Sequence, residues 1–455
     1  MSEKINAFKK YMNGKKVAVI GIGISNTPLI SYLVSCGACV TAHDKKTEAE
    51  LGEIAQELKK KGVTLVLGET YLDKISGDIV FKTPGMRFDN PALVKAKTNG
   101  ALITSEMEVF FELCPAPIIA VTGSDGKTTT TTLIYKMLEK TGKTVHLGGN
   151  IGRPILARVE EIQEEDFVVL ELSSFQLHTM KKSPHIAVMT NITPNHLDMH
   201  KSYQEYIDAK KNIMLYQGED DILIANLEND VTAEILKEAN GEKRGFSKAE
   251  DGAVTIKNNA IFVDNEEILK VTDIKLPGVH NVENYMAAIG AVYGIASVDA
   301  IVDVAKTFGG VEHRIEFVRE IDGVKYYNSS IDSSPNRTIN TLNVFKENVV
   351  LISGGKDKGI SYEDIGAPIV DTCRALILIG ATSHAIFESV NKVLRERKQA
   401  MPIFFEKTYE DAVWRAKEVA KSGDVVLLSS ASTSFDMFKN FEERGNLFKD
   451  LVNRL

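Results

Sequence analysis

Apolar positions in this chain cluster in short, nearly unbroken runs, separated by stretches with helical spacing. In the first hundred residues such runs fall at 17–20, 39–43, 63–67 and 79–81. Short continuous apolar runs suit strands buried on both faces. Between the first two lie Gly21-Ile22-Gly23-Ile24-Ser25-Asn26 and a helical stretch to about Cys36. Alternation of strands and helices predicts a parallel, doubly wound α/β sheet. A second unit opens at Pro115-Ala116-Pro117, with a fully apolar strand at 118–121, a glycine-containing turn and a long helix. Strand-like runs recur at 167–170, 186–189 and 222–225. Between about 243 and 273 the pattern shortens and alternates, with Asn and Asp turns, and reads as a small antiparallel insert. A helix from Asn281 to about Ile295 closes this unit. A third unit starts near Glu312-His313-Arg314, with strands expected at 324–327, 349–352, 375–379, 403–405 and 425–428. The expected domains are 1–112, 113–311 and 312–455.

Composition narrows the function. The 455 residues are 44% hydrophobic and 25% charged, ordinary globular usage. A net charge of −8 argues against nonspecific nucleic-acid binding, which rests on clustered positive charge. The N-terminal residues MSEKINAFKKYMNGKK lack an apolar signal core, and no run is long enough to span a bilayer. A soluble, cytoplasmic protein with no membrane partner is expected. Cys36 and Cys39 form a C-x-x-C, but Cys114 and Cys373 are isolated, so a four-ligand zinc site is not completed. Gly37 between them fits a helix stop before a strand.

The strongest chemical signal is Gly123-Ser124-Asp125-Gly126-Lys127-Thr128, between a buried strand and a helix. Glycines let backbone N–H groups turn toward phosphate oxygens, and a helix N-terminus adds positive potential. Lys127 would reach the β/γ-phosphates and the Thr128 hydroxyl a Mg²⁺ ion, with Thr129 beside it. The spacing is unusual: two residues separate Gly123 and Gly126, where the common phosphate loop has about four. Glu171 follows the 167–170 run, and His196 and Asp198 follow the next strand. Ligands of open α/β sheets bind at such strand ends, where a carboxylate and an imidazole can share a divalent metal. His196 and His200, four residues apart, could form a helical zinc pair, but the rest of an H-E-x-x-H site is missing. Gly21-Ile22-Gly23 with Asp44 at the next strand end suggests a nucleotide diphosphate site, with Asn26 where a third glycine would stand.

Taken in order, these segments resemble the Mur ligase family, and within it the D-glutamate-adding branch. The resemblance rests on Thr122-Gly123-Ser124-Asp125-Gly126-Lys127-Thr128, Gly149-Asn150-Ile151-Gly152 and Glu171-Leu172-Ser173-Ser174-Phe175-Gln176-Leu177. It continues through Asn191-Ile192-Thr193-Pro194-Asn195-His196-Leu197-Asp198, Ala209-Lys210, His280-Asn281-Val282-Glu283-Asn284 and Glu312-His313-Arg314. A last stretch runs from Ser434-Phe435-Asp436 to Arg444. It implies a Rossmann-like first domain for the UDP part of a substrate, a central P-loop-type ATPase domain, and a Rossmann-like C-terminal domain for the amino acid. It further implies an ATP-dependent, Mg²⁺-requiring, monomeric ligase of peptidoglycan precursor synthesis, with UDP-N-acetylmuramoyl-L-alanine and D-glutamate as substrates. Lys127, His196 and Lys210 would be catalytic, and Thr128, Glu171, His196 and Lys210 would serve magnesium. Lys210 matches a lysine that becomes carbamylated. Asn281, Asn284 and Arg314 would join the 123–129 loop around nucleotide. Ser25, Asn26, Asp44, Thr83 and Gly85 would face the UDP substrate, Asn150 that substrate or the bound nucleotide, and Ser333, Lys358, Ser434 and Phe435 the amino acid.

This chain departs from its resemblance at Asn328-Ser329-Ser330-Ile331-Asp332-Ser333, where many relatives have Asn-Asp-Ser-Lys-Ala-Thr, and at Ser429-Ser430-Ala431, where Ser-Pro-Ala is frequent. Three other readings compete with the D-glutamate ligase. A nicotinamide oxidoreductase would use the first domain but leave the phosphate loop and Glu171 unexplained. A folate polyglutamylating ligase would share the ATP chemistry but need no UDP domain. A catalytically silent nucleotide binder would follow from the changes at Ser329 and Ile331.

Overall fold

The computed structural model describes residues 3–23, 26–195, 199–249, 251–276, 278–357 and 360–455. Ser25, His196, Asp198 and Lys358 lie outside the described residues. Two compact units emerge, residues 1–306 and 307–455.

The first unit holds two sheets. One has five strands, β1 (Lys16–Ile20), β2 (Cys39–Asp44), β3 (Thr64–Leu67), β4 (Ile79–Phe81) and β5 (Leu102–Thr104), in the order β3-β2-β1-β4-β5. All its pairings are parallel. The other has nine strands: β6 (Ile118–Thr122), β7 (Val145–Gly149), β8 (Phe167–Glu171), β9 (Ile186–Met189), β10 (Ile222–Asn226), β11 (Glu242–Ser247), β12 (Val254–Lys257), β13 (Ala260–Val263) and β14 (Glu266–Lys270). Their order is β14-β13-β12-β11-β10-β9-β6-β8-β7. The strands from β7 to β12 pair in parallel, and β13 turns the edge antiparallel. The expected small antiparallel insert is present as β12, β13 and β14. Its strands continue the central sheet outward, because β11 pairs in parallel with β10 and passes the ladder on to β12. One apolar cluster runs from Ile5 through the first sheet to Leu236 and Ala239 in the central region.

The second unit is a six-stranded sheet of β15 (Glu316–Ile321), β16 (Val324–Asn328), β17 (Val349–Ser353), β18 (Cys373–Ile379), β19 (Ile403–Glu406) and β20 (Val425–Leu428), in the order β15-β16-β20-β17-β18-β19. Only the β15–β16 pair is antiparallel. Apolar clusters cover both faces of this sheet.

The functional end of the central sheet follows from its strand order. β6 lies between β8 and β9, with Val121 opposite Glu171 and Thr122 opposite Met189. The chain leaves β6 toward β7 and β8 and returns on the other side at β9. That reversal opens a crevice at the carboxyl ends of these strands, where an α/β sheet binds ligands. All four cysteines are free thiols, with Cys36 buried and Cys39 exposed either side of the turn between the helix Asn26–Ser35 and β2, which Gly37 permits. Among the described residues, no helix is long and apolar enough to cross a membrane.

Candidate active site

The phosphate loop begins where β6 ends. Gly126 takes a left-handed conformation, φ 78°, and caps the helix Lys127–Glu139. A side chain there would be strained and would collide with the Asn284 amide. A Cβ on Gly123 would collide with the Thr190 hydroxyl. Both positions thus bring neighbouring elements close to bare backbone. The segment after β9 holds the loop in shape. Ser124 N–H donates to the Asn191 carbonyl at 2.8 Å, Asp125 N–H to the Asn191 side chain at 3.0 Å, and the Thr190 hydroxyl to the Asp125 carbonyl at 2.6 Å. The first N–H groups of a helix have no partners within it, so the start of Lys127–Glu139 offers donors to an anion. Thr128 is buried in that first turn and Thr129 is half-buried. The Lys127 ammonium curls back to the carbonyls of Gly123 (2.9 Å) and Ser124 (2.8 Å).

Two buried ionisable groups flank the loop. Glu171, at the end of β8, is 1% exposed. Its Oε1 accepts from the Asn150 side chain at 2.6 Å, while its buried Oε2 has no hydrogen-bond partner. A buried carboxylate oxygen without a donor fits a cation. Lys210, near the end of the helix Tyr203–Lys211, is also 1% exposed. Its Nζ donates to the Gly123 carbonyl at 2.7 Å and sits 4.8 Å from the centre of the Tyr206 ring. Burial, reinforced by the nearby Lys127 charge, pushes its ammonium well below the usual lysine range; Glu171 and Asp125 oppose this. The Tyr206 hydroxyl lies 3.0 Å from the Ser124 hydroxyl. Sequence reading missed Tyr206. Its spacing four residues before Lys210, on one face of a helix, was the available signal.

Asn284 joins the loop from the helix Val279–Val292. It accepts from the Thr130 hydroxyl at 3.3 Å and donates to the Asn281 side chain at 3.0 Å. At the first sheet, Asp44 and Asn26 hold the glycine turn itself. Asp44 accepts from Ile22 N–H at 2.5 Å, and Asn26 donates to the carbonyls of Ile20 (2.9 Å) and Gly21 (3.0 Å). The amide of Asn26 thus closes the turn where a third glycine would stand. Thr83 and Gly85 line a cavity of about 510 Å³ with Tyr71, Met86 and Arg87.

The chain matches three family models in sequence order: the Mur ligase MurD-like N-terminal domain at residues 15–105, the Mur ligase middle domain at 121–292, and the Mur ligase glutamate ligase domain at 313–432. It is 52% identical to the UDP-N-acetylmuramoylalanine–D-glutamate ligase of Clostridium novyi, with both chains covered in full. The chain belongs to the Mur ligase family. The ligase of the same name from Acetivibrio thermocellus is 55% identical, again over the whole of both chains. Among solved structures, the UDP-N-acetylmuramate-alanine ligase MurC of Thermotoga maritima superposes with a TM-score of 0.59 at 20% identity, covering 97% of this chain and 99% of that one. MurF of Acinetobacter baumannii gives 0.57 at 17%, covering 98% and 92%. These two share the fold.

In this Mur ligase the structure brings together Gly123, Ser124, Asp125, Gly126, Lys127, Thr128, Thr129, Asn150, Glu171, Asn281, Asn284 and Lys210 around one strand-end crevice. Arg314, Ser333, Ser434 and Phe435 belong to the second unit; Ser434 is buried and Phe435 is 60% exposed. The helical zinc pair rejected from sequence involves His196, outside the described residues. His200 instead groups with His178 and Glu205, whose ligand atoms lie within 4.8 Å of one another. The Glu205 carboxylate already accepts two N–H groups of Arg87, so a cation there would have to displace a guanidinium.

Proposed function

We infer that this Mur ligase joins D-glutamate to UDP-N-acetylmuramoyl-L-alanine at the expense of ATP, a step of peptidoglycan precursor synthesis. The observation that carries the inference is identity of 52–55% over full length to ligases bearing that name. Residues 1–112 take the UDP moiety, 113–311 ATP, and 312–455 the amino acid.

Phosphoryl transfer depends on positioning and charge neutralisation more than on covalent help. The loop at 123–128 cradles the phosphates with backbone N–H groups. On ATP binding, Lys127 exchanges its two carbonyl partners for phosphate oxygens, a stronger charge-assisted contact. The alanyl carboxylate takes the γ-phosphoryl group, and the D-glutamate amine then displaces phosphate from the acyl-phosphate. Glu171, Thr128 and His196 would hold magnesium, with Lys210 after carbamylation. When bound, the ion neutralises charge on the phosphates.

The orphan Glu171 oxygen supports this assignment, as does the burial of Lys210. Burial lowers the Lys210 ammonium's pKa and so favours the neutral amine, the form that attacks CO₂. The carbamate keeps one N–H on Nζ, enough to retain a bond to the Gly123 carbonyl, while adding an anionic group. Lys358 supplies positive charge to the glutamate side chain in place of the lysine that Ile331 replaces, and Ser333, Ser434 and Phe435 also serve that substrate. Arg314 contributes to the nucleotide.

The test is phosphate release with UDP-N-acetylmuramoyl-L-alanine across D- and L-amino acids. Release only with D-glutamate supports the reading. Turnover with a folate acceptor, tight NADH binding, or ATP binding without release under any substrate would replace it with one of the three competing readings.

A further inference from the structure

A charged clamp joins the first sheet's cavity loop to the helix that carries Lys210. Arg87 follows Thr83-Pro84-Gly85 in the loop leaving the carboxyl end of β4. All five of its N–H groups are engaged. Nε and Nη2 donate to the two Asp89 oxygens at 2.9 and 3.0 Å, and Nη1 and Nη2 to the two Glu205 oxygens at 3.0 and 2.8 Å. The remaining N–H reaches the Met199 carbonyl at 2.8 Å. A guanidinium has five donors in a rigid plane, and here each has an acceptor.

Glu205 is equally constrained. It sits in the first turn of Tyr203–Lys211, capped by Ser202, whose hydroxyl accepts the Glu205 N–H at 3.1 Å. It also accepts Lys201 N–H at 2.6 Å. The next residue is Tyr206, against Ser124, and the same helix ends with Lys210 on the Gly123 carbonyl. The path from cavity loop to phosphate loop is thus a series of direct contacts: the 83–87 segment, Arg87, Glu205, then Tyr206 and Lys210. Arg87 and Glu205 lie 118 residues apart in the chain.

We propose that Arg87 is a positioning residue that fixes the cavity loop against the Lys210 helix and thereby sets where the UDP-linked substrate lies relative to the phosphate loop. The proposal rests on the ligase reading above. Bidentate pairing on both sides holds the loop in direction as well as distance. A lysine would keep the charge but could not span two carboxylates and a carbonyl in one plane. The favoured ionised state of both acids agrees with this geometry: Arg87 draws Glu205 down to about 2 and Asp89 still lower.

The experiment is steady-state kinetics of the full-length protein, varying UDP-N-acetylmuramoyl-L-alanine and ATP separately at saturating co-substrates. Loss of binding shared by ground and transition state appears in KM, so Arg87→Ala should raise the KM for the UDP substrate by about tenfold or more. The KM for ATP should not change, because Arg87 does not touch the phosphate loop. A purely structural residue would lower kcat through loss of folded protein and leave both KM values alone. Arg87→Lys should show the same split in milder form and decides the matter if Arg87→Ala does not fold. Glu205→Gln should raise the same KM, and adding it to Arg87→Ala should cost nothing further. An unchanged UDP-substrate KM in a folded Arg87→Ala or Arg87→Lys protein, or additive effects in the double variant, overturns the proposal while the ligase reading stands. Wild-type protein that does not turn over the UDP substrate overturns both.

Discussion

Glu171→Gln separates a cation-binding role from a structural one more cleanly than any other substitution. The two side chains have nearly the same shape, and glutamine can still accept the Asn150 bond through its carbonyl oxygen. What changes is the second position, now a buried oxygen without a hydrogen-bond partner. An amide there leaves N–H groups unsatisfied, costing about 1–3 kcal/mol. Against that, a carboxylate taken out of water without full compensation carries a penalty of several kcal/mol, which the substitution removes. The two effects oppose each other, so thermal stability without nucleotide should move little. Activity should behave differently. Loss of one charge contact made in the transition state typically costs ~3–4 kcal/mol, or ~10²–10³ in rate. The assay is phosphate release against magnesium concentration, with a melting curve on the same preparation. Expected are a much lower maximal rate, a higher magnesium requirement and an unchanged melting temperature. Near-normal turnover, or activity and melting temperature falling together, would refute the role assigned to the orphan oxygen.

Lys127→Ala should lower the rate of phosphate release by ~10²–10³ through loss of a transition-state cation, and a variant with near-normal turnover would remove Lys127 from the phosphate site. Lys210→Ala should be slow and partly rescued by acetate, because a free carboxylate can stand in for the carbamate; absence of both rescue and bicarbonate dependence would count against carbamylation. Lys358→Ala should raise the KM for D-glutamate strongly and that for ATP little, since removing the one proposed cation costs more than removing a hydroxyl such as that of Ser434; equal D-glutamate dependence in the variant would place the pocket elsewhere. The clamp also predicts acid behaviour. Glu205 is held at about 2 against an ordinary 4.5, so its contribution is present above pH 4.5 and is lost as pH falls toward 2. Urea midpoints of wild type and Arg87→Ala should therefore differ at neutral pH and converge across that window, and a gap that stays constant to pH 2 would show that the pair does not titrate with folding.

Local order determined much of this protein. The buried strands could be read because each is a continuous apolar run ending where a glycine, a carboxylate or a polar turn begins; β4, β9 and β20 match their expected limits. The phosphate loop was legible for the same reason, since its strand, turn and helix are contiguous in sequence. Half-buried strands escaped. β7 reads Val-His-Leu-Gly-Gly and β15 mixes charged with apolar residues without a regular period, so neither stands out until a neighbouring strand takes up its backbone N–H and C=O groups. That pairing is a property of the sheet, and it also joins the antiparallel insert of β12, β13 and β14 to the edge of the central ladder through β11. In the site, Glu171 could be placed from its strand end, but not the oxygen left without a donor. Lys210 could be picked from its motif, but not its burial on the Gly123 carbonyl, because desolvation depends on everything packed around it. Arg87 had no signal at all. A loop arginine becomes a clamp only when folding carries Glu205 and the Met199 carbonyl across 118 and 112 residues of chain to meet three of its five donors, the other two being taken by the nearby Asp89, and no local pattern encodes a contact whose partner lies that far away.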